Sequence, residues 1–147
     1  MNQYSIPLSV DRAVIEINGG CNYTCQMCPQ TTGRGKNWLK KMSLLDFERV
    51  VAECAEYGLN VVNLEGSGEP TLNRNLPDYI KIVRKYNAKP FIYTNGYNLE
   101  GDFMKECVDA GLALARFSII GYNQIKYMQW MNKDAFNLVL NNAKKMN

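Results

Sequence analysis

The sequence predicts an α/β fold, a parallel (βα)4 arrangement carried in one domain over residues 1–147. Three observations predict it. Short apolar, β-branched runs alternate with stretches whose apolar residues recur at helical spacing. Turn residues separate them. The unusual loops all fall at the carboxyl ends of the expected strands, where ligands gather in such sheets.

Taken in order, Ala13 to Ile17 is apolar and β-branched and is expected as the first strand. Ser43-Leu44-Leu45-Asp46 has the form of a capping box; Phe47, Val50, Val51 and Cys54 then fall on one helical face, and Gly58 stands as the stop. Val61 to Leu64 reads as the second strand, and Leu76, Tyr79, Ile80 and Val83 as the stripe of the next helix. A third strand, Phe91 to Thr94, ends at the turn signal Asn95-Gly96, and Leu99, Phe103 and Cys107 mark a helix closed by Gly111. Leu114 to Ile119 is the fourth strand, and Phe136, Val139, Leu140 and Ala143 line a fourth helix. Cys54 and Cys107 lie on apolar helix faces and are expected to be structural.

Composition narrows the function. With 46% hydrophobic and 21% charged residues the chain falls in the ordinary globular range. No run approaches the roughly 18 apolar residues of a membrane helix, and Met1 to Val10 lacks the form of a signal peptide, so a cytoplasmic protein without a membrane partner is expected. A charge of +3 does not argue for nucleic acid. Histidine is absent, which excludes Ser-His-Asp hydrolysis. Five cysteines, three of them crowded, suit a metal in a reducing compartment better than disulfides. Arg34, Lys36, Lys40 and Lys41 cluster after those three. They form either a solvated loop or a cationic rim that offsets an anionic thiolate cluster or receives an acidic substrate or electron donor.

The crowded run is Cys21-Asn22-Tyr23-Thr24-Cys25-Gln26-Met27-Cys28. Thiolates are the usual ligands of iron–sulfur clusters, and a four-iron cluster normally takes four. A local set of three leaves one iron open for chemistry. Zinc is the alternative, but it wants a fourth Cys, His or carboxylate in tetrahedral array.

The run resembles the signature of radical S-adenosylmethionine (radical SAM) enzymes, in which three cysteines at this spacing hold a [4Fe-4S] cluster and S-adenosyl-L-methionine chelates the fourth iron. Met27 stands where that family usually has an aromatic residue, and is expected near the adenine. The loop Gly66-Ser67-Gly68-Glu69-Pro70, one strand later, resembles the family's glycine-glycine-glutamate-proline element, which binds the amino group of the methionine moiety. Its glycines allow a sharp turn and close backbone approach to a ligand. Asn95, at the end of strand three, is expected to face the same site, and by the same resemblance Ser118, near the end of strand four, is expected to contact the cosubstrate.

The resemblance implies half of a partial TIM-like barrel, since the family core has six strand–helix units and four are legible here, so the core looks truncated. It also implies reductive cleavage of S-adenosylmethionine to a 5′-deoxyadenosyl radical that abstracts hydrogen from a substrate, with a reductant such as flavodoxin or ferredoxin. Cys28-Pro29 and the run to Lys41 look most like the branch with a cysteine-rich C-terminal extension (SPASM-like), which often modifies peptides; the chain itself shows no such extension. The sheet edge after strand four calls for a homodimer mate or partner chain to cover it. A non-catalytic iron–sulfur or zinc module is the competing reading, and the position of the Gly66 to Pro70 loop relative to the cysteines discriminates the two.

Overall fold

A computed structural model describes residues 9–31 and 40–146. Arg34 and Lys36 lie outside the described residues. Four strands, β1 (Arg12–Val14), β2 (Val61–Asn63), β3 (Lys89–Thr94) and β4 (Leu114–Phe117), form one parallel sheet in the order β1-β2-β3-β4. Helices α1 (Leu44–Ala55), α2 (Leu76–Lys85) and α3 (Gly101–Asp109) form the crossovers, and α4 (Gln124–Met131) and α5 (Phe136–Lys145) follow β4. This is the expected (βα)4 architecture, with an additional helix. No helix among the described residues is long and apolar enough to cross a membrane.

Local chemistry sets the boundaries. Ser43 Oγ accepts the Asp46 N–H at 3.0 Å and starts α1 as the capping box requires. The third strand begins two residues earlier than expected and contains Pro90, which stands in register with Val62 while its carbonyl accepts the Ala113 N–H at 2.9 Å on the other side. The first strand is shorter than Ala13 to Ile17, because β2 turns away after Asn63 into the glycine loop; Ile15 N–H still donates to Asn63 O at 2.9 Å. The α4 helix was not legible: only Tyr127 and Met131 of its apolar residues are buried, while Ile125 and Met128 face solvent. Its start is marked by Asn123, whose side chain accepts the Lys126 N–H at 2.9 Å.

The core lies between the sheet and α1 to α3. Ile15, Ile17, Val62, Leu64 and Ile92 meet Phe47, Val51, Tyr79, Ile80 and Val83, with the Phe47 and Tyr79 rings edge-on at 5.0 Å. Cys107 is fully buried there, and Cys54 packs against the same cluster partly exposed. A second cluster, Tyr23, Tyr127, Met131, Ala135 and Val139, joins the cysteine loop to α4 and α5.

Candidate functional site

Residues 16–20 lead from the first strand into the cysteines and are locked to the loop after β2. Asn18 Nδ2 donates to Gly20 O at 2.8 Å and to Glu69 O at 2.9 Å, while Glu69 N–H donates to Gly20 O at 2.8 Å. Glu16 Oε1 accepts the Gly68 N–H at 2.9 Å and also the Ser67 N–H. Behind the cysteines the chain returns alongside: Gly19 N–H donates to Lys40 O at 3.0 Å, and Asn18 and Lys41 form an antiparallel bridge. The close approach that Gly68 permits is therefore to this backbone. A Cβ there would stand 1.8 Å from Asn18 O and 2.8 Å from Gly20 O.

Glu69 is only 3% exposed and closes the arrangement. Its Oε1 accepts Thr71 N–H at 3.1 Å, Thr71 Oγ1 at 2.6 Å and Thr94 Oγ1 at 2.6 Å; its Oε2 accepts Asn95 N–H at 2.7 Å. A carboxylate offers about four acceptor positions divided between two oxygens, so among the described residues Oε2 keeps capacity for one further donor.

The cysteine loop and the glycine loop meet in a cleft of about 170 Å³. Cys21 and Cys25 line it from one side, Gly66, Gly68 and Glu69 from the other, and Asn95 and Ser118 from the ends of β3 and β4. Cys28 and Ser67 face an adjoining hollow of about 370 Å³, with Gly66 common to both. Met27 lines neither and is 43% exposed. Asn95 Nδ2 donates to Asn22 Oδ1 at 2.7 Å, which ties the end of β3 to the cysteine run.

Burial raises the Cys21 thiol, and the charges of Glu69 and Cys28 add to it. Burial pushes the Cys25 thiol up to about 11, with Cys21 and Cys28 contributing. The Cys21 and Cys25 thiols thus both resist ionisation, and holding them as thiolates is costly unless cationic iron lies beside them. Among the described residues no three His, Cys, Asp or Glu side chains converge as they would around one metal ion. Three thiol donors in one short loop are the ligand chemistry of an iron–sulfur cluster.

The α4 helix, missed in the sequence, braces this loop. Gln26 N–H donates to Trp130 O at 2.9 Å, Asn132 Nδ2 donates to Thr24 Oγ1 at 2.8 Å, and the buried Tyr23 and Tyr127 hydroxyls meet at 3.1 Å. Met131 Sδ lies 3.9 Å from Cys25 Sγ. Glu16 and Asn18 were missed too, since a polar residue before a metal loop carries no periodic signal.

Comparison with known proteins agrees with this geometry. A GTP 3′,8-cyclase of Aliarcobacter butzleri is 29% identical over 136 residues, covering 89% of this chain and 41% of that protein. A probable GTP 3′,8-cyclase of Sulfolobus acidocaldarius is 34% identical over 107 residues, covering 71% of this chain and 33% of that protein. The chain therefore spans well under half the length of these curated relatives. The structure of Streptococcus suis SuiB bound to precursor peptide SuiA superposes with a TM-score of 0.77 at 17% identity, over 95% of this chain and 30% of that one, a likeness of fold. The family described as "Radical SAM superfamily" matches residues 15–147, most of the chain, and the protein belongs to that superfamily.

Proposed function

We propose that this chain carries the radical-generating site of a radical SAM enzyme. Cys21, Cys25 and Cys28 hold a [4Fe-4S] cluster, and the cleft between the cysteine and glycine loops receives S-adenosylmethionine. One observation carries the reading: the Gly66 to Glu69 loop lies beside Cys21 and Cys25, which a metal module without a cosubstrate has no need of. The bound groups supply reductive cleavage of S-adenosylmethionine to a 5′-deoxyadenosyl radical that takes hydrogen from a substrate.

The protein's own residues prepare that chemistry. Glu69 Oε2 is the partner for the cosubstrate's ammonium, and Thr71, Thr94 and the Asn95 N–H hold the carboxylate in place. Asn95 and Ser118 offer polar contacts to the remaining donors and acceptors of the cosubstrate. Met27 would reach an adenine only from outside the cleft. Lys40 and Lys41, beside the cysteine loop, suit the approach of an acidic electron carrier such as flavodoxin or ferredoxin, in a reducing compartment such as the cytoplasm.

For the substrate, the relatives named GTP 3′,8-cyclase support a nucleotide. The peptide reading and its SPASM-like extension rest on the Cys28-Pro29 run and on a fold likeness at 17% identity, which is weaker support.

Anaerobic reconstitution tests the site. One cluster per chain is expected, with its absorbance lost in Cys21→Ala, Cys25→Ala and Cys28→Ala, and its electron paramagnetic resonance signal altered by S-adenosylmethionine. A full cluster in Cys25→Ala, or a signal indifferent to the cosubstrate in folded protein, would refute the proposal.

A further inference from the structure

The face of the sheet turned away from α1 to α3 has the wrong composition for a packed core. Alternation along the strands puts Ala13, Ile15, Val62, Leu64, Ile92, Ala115 and Phe117 on the helix side. The opposite face of β1, β2, β3 and β4 therefore carries Arg12, Asn63, Phe91, Tyr93 and Arg116, with Glu65 just beyond β2. A closed barrel fills this side with layers of branched apolar residues, and a parallel sheet ordinarily buries both faces. Here Val14 is 61% exposed and Leu114 39%, and charged groups stand between them.

Two of those groups converge. The Arg12 guanidinium lies over the Phe91 ring at 5.7 Å, and the Arg116 guanidinium over the Tyr93 ring at 5.0 Å. Phe91 and Tyr93 are two residues apart on one face of β3, about 7 Å along the strand. Cations that begin on the two outer strands are thus drawn to adjacent rings of one inner strand. Neutral groups orient them: Arg12 Nη1 donates to Asn63 Oδ1 at 3.3 Å, and Arg116 Nη1 donates to Tyr93 OH at 3.2 Å. Among the described residues neither guanidinium is in an ion pair. The nearby carboxylates are engaged elsewhere, Glu65 by Asn63 Nδ2 at 2.8 Å and Glu16 by the glycine-loop amides.

We infer that Arg12 and Arg116 form a binding site for an extended anionic group of the substrate, a polyphosphate or a pair of carboxylates. Stacking on an aromatic face leaves the edge of a guanidinium, with its forked donors, available to such a group. Two forks carried on neighbouring rings match an anion with separated charges better than a single small one. Tyr93 lines the cosubstrate cleft and also holds Arg116, so a substrate gripped here extends toward the cysteines. This inference rests on the proposed function only in taking that face as the substrate side.

The test is calorimetric titration of the full chain, with and without reconstituted cluster, using inorganic triphosphate in one arm and glutarate in the other. The arm that binds identifies the anion. Saturable binding by one of them is expected, weakened about tenfold or more in Arg12→Gln and in Arg116→Gln. Lys144→Gln, which removes an equal charge from α5, is expected to leave it unchanged. Binding does not require the cluster, so a failure of the radical-generating site leaves this result readable. Absence of saturable binding in both arms, or an equal loss in Lys144→Gln, would overturn the inference.

Discussion

Gly68→Ala is the sharpest test of how the two loops of the site are joined. The added Cβ would stand 1.8 Å from Asn18 O and 2.7 Å from Asn18 C, both backbone atoms. A carbon–oxygen contact normally settles near about 3.3 Å, so the loops must part by about 1.5 Å. That separation strains three hydrogen bonds: Glu69 N–H to Gly20 O at 2.8 Å, Asn18 Nδ2 to Glu69 O at 2.9 Å, and Gly68 N–H to Glu16 Oε1 at 2.9 Å. At about 1 kcal/mol each, the loss is about 3 kcal/mol. Gly58→Ala supplies the contrast, because Gly58 has φ +90° with nothing within 4 Å of a Cβ. It should cost only the left-handed penalty of about 1 kcal/mol. Urea denaturation measures both, and iron retention after reconstitution reports whether the cysteine loop has moved. Equal losses in the two variants, or full iron retention in Gly68→Ala, would show that the loops are not locked as described.

Five further outcomes are expected. Cys107→Ala should cost about 1–3 kcal/mol in urea melts and Cys54→Ala less, since Cys107 is fully buried and Cys54 is not, with iron binding unchanged in both. Glu69→Gln should lower stability by about 1–3 kcal/mol, because an amide that keeps its oxygen toward Thr71 and Thr94 turns N–H groups toward the Asn95 N–H; cosubstrate affinity must therefore be compared at matched folded fraction. Tyr127→Phe leaves the buried Tyr23 hydroxyl without its partner and should cost about 1–2 kcal/mol, read in the same melts and in faster alkylation of Cys25. In iron-free protein the Cys25 thiol is held protonated up to about 11, so iron loading releases protons and should strengthen from about pH 7 to about pH 9. The raised value also means that the folded iron-free state favours the neutral thiol. That contribution to stability is present below the ordinary thiol range and fades as pH rises through about 11, which urea melts across alkaline pH would detect.

The sequence by itself determined the order of strands and helices and the cysteine spacing, because those are local. The capping box at Ser43, the apolar stripe of α2 and the alternation in β3 each follow from residues within a few positions of one another. Cys21, Cys25, Cys28 and Glu69 were legible for the same reason, as unusual residue types in short fixed patterns. Tertiary structure alone decided what those patterns touch. Gly68 could be read as permitting close approach, but that its neighbour is Asn18 O depends on two loops about fifty residues apart. The α4 helix is held by the cysteine loop more than by any apolar stripe of its own, so no periodicity announced it. Arg12 and Arg116 come from opposite edges of the sheet and converge only through the register of β1 to β4, which closes a gap of about one hundred residues. Contacts of that kind are made by the folded chain as a whole, and local pattern carries no trace of them.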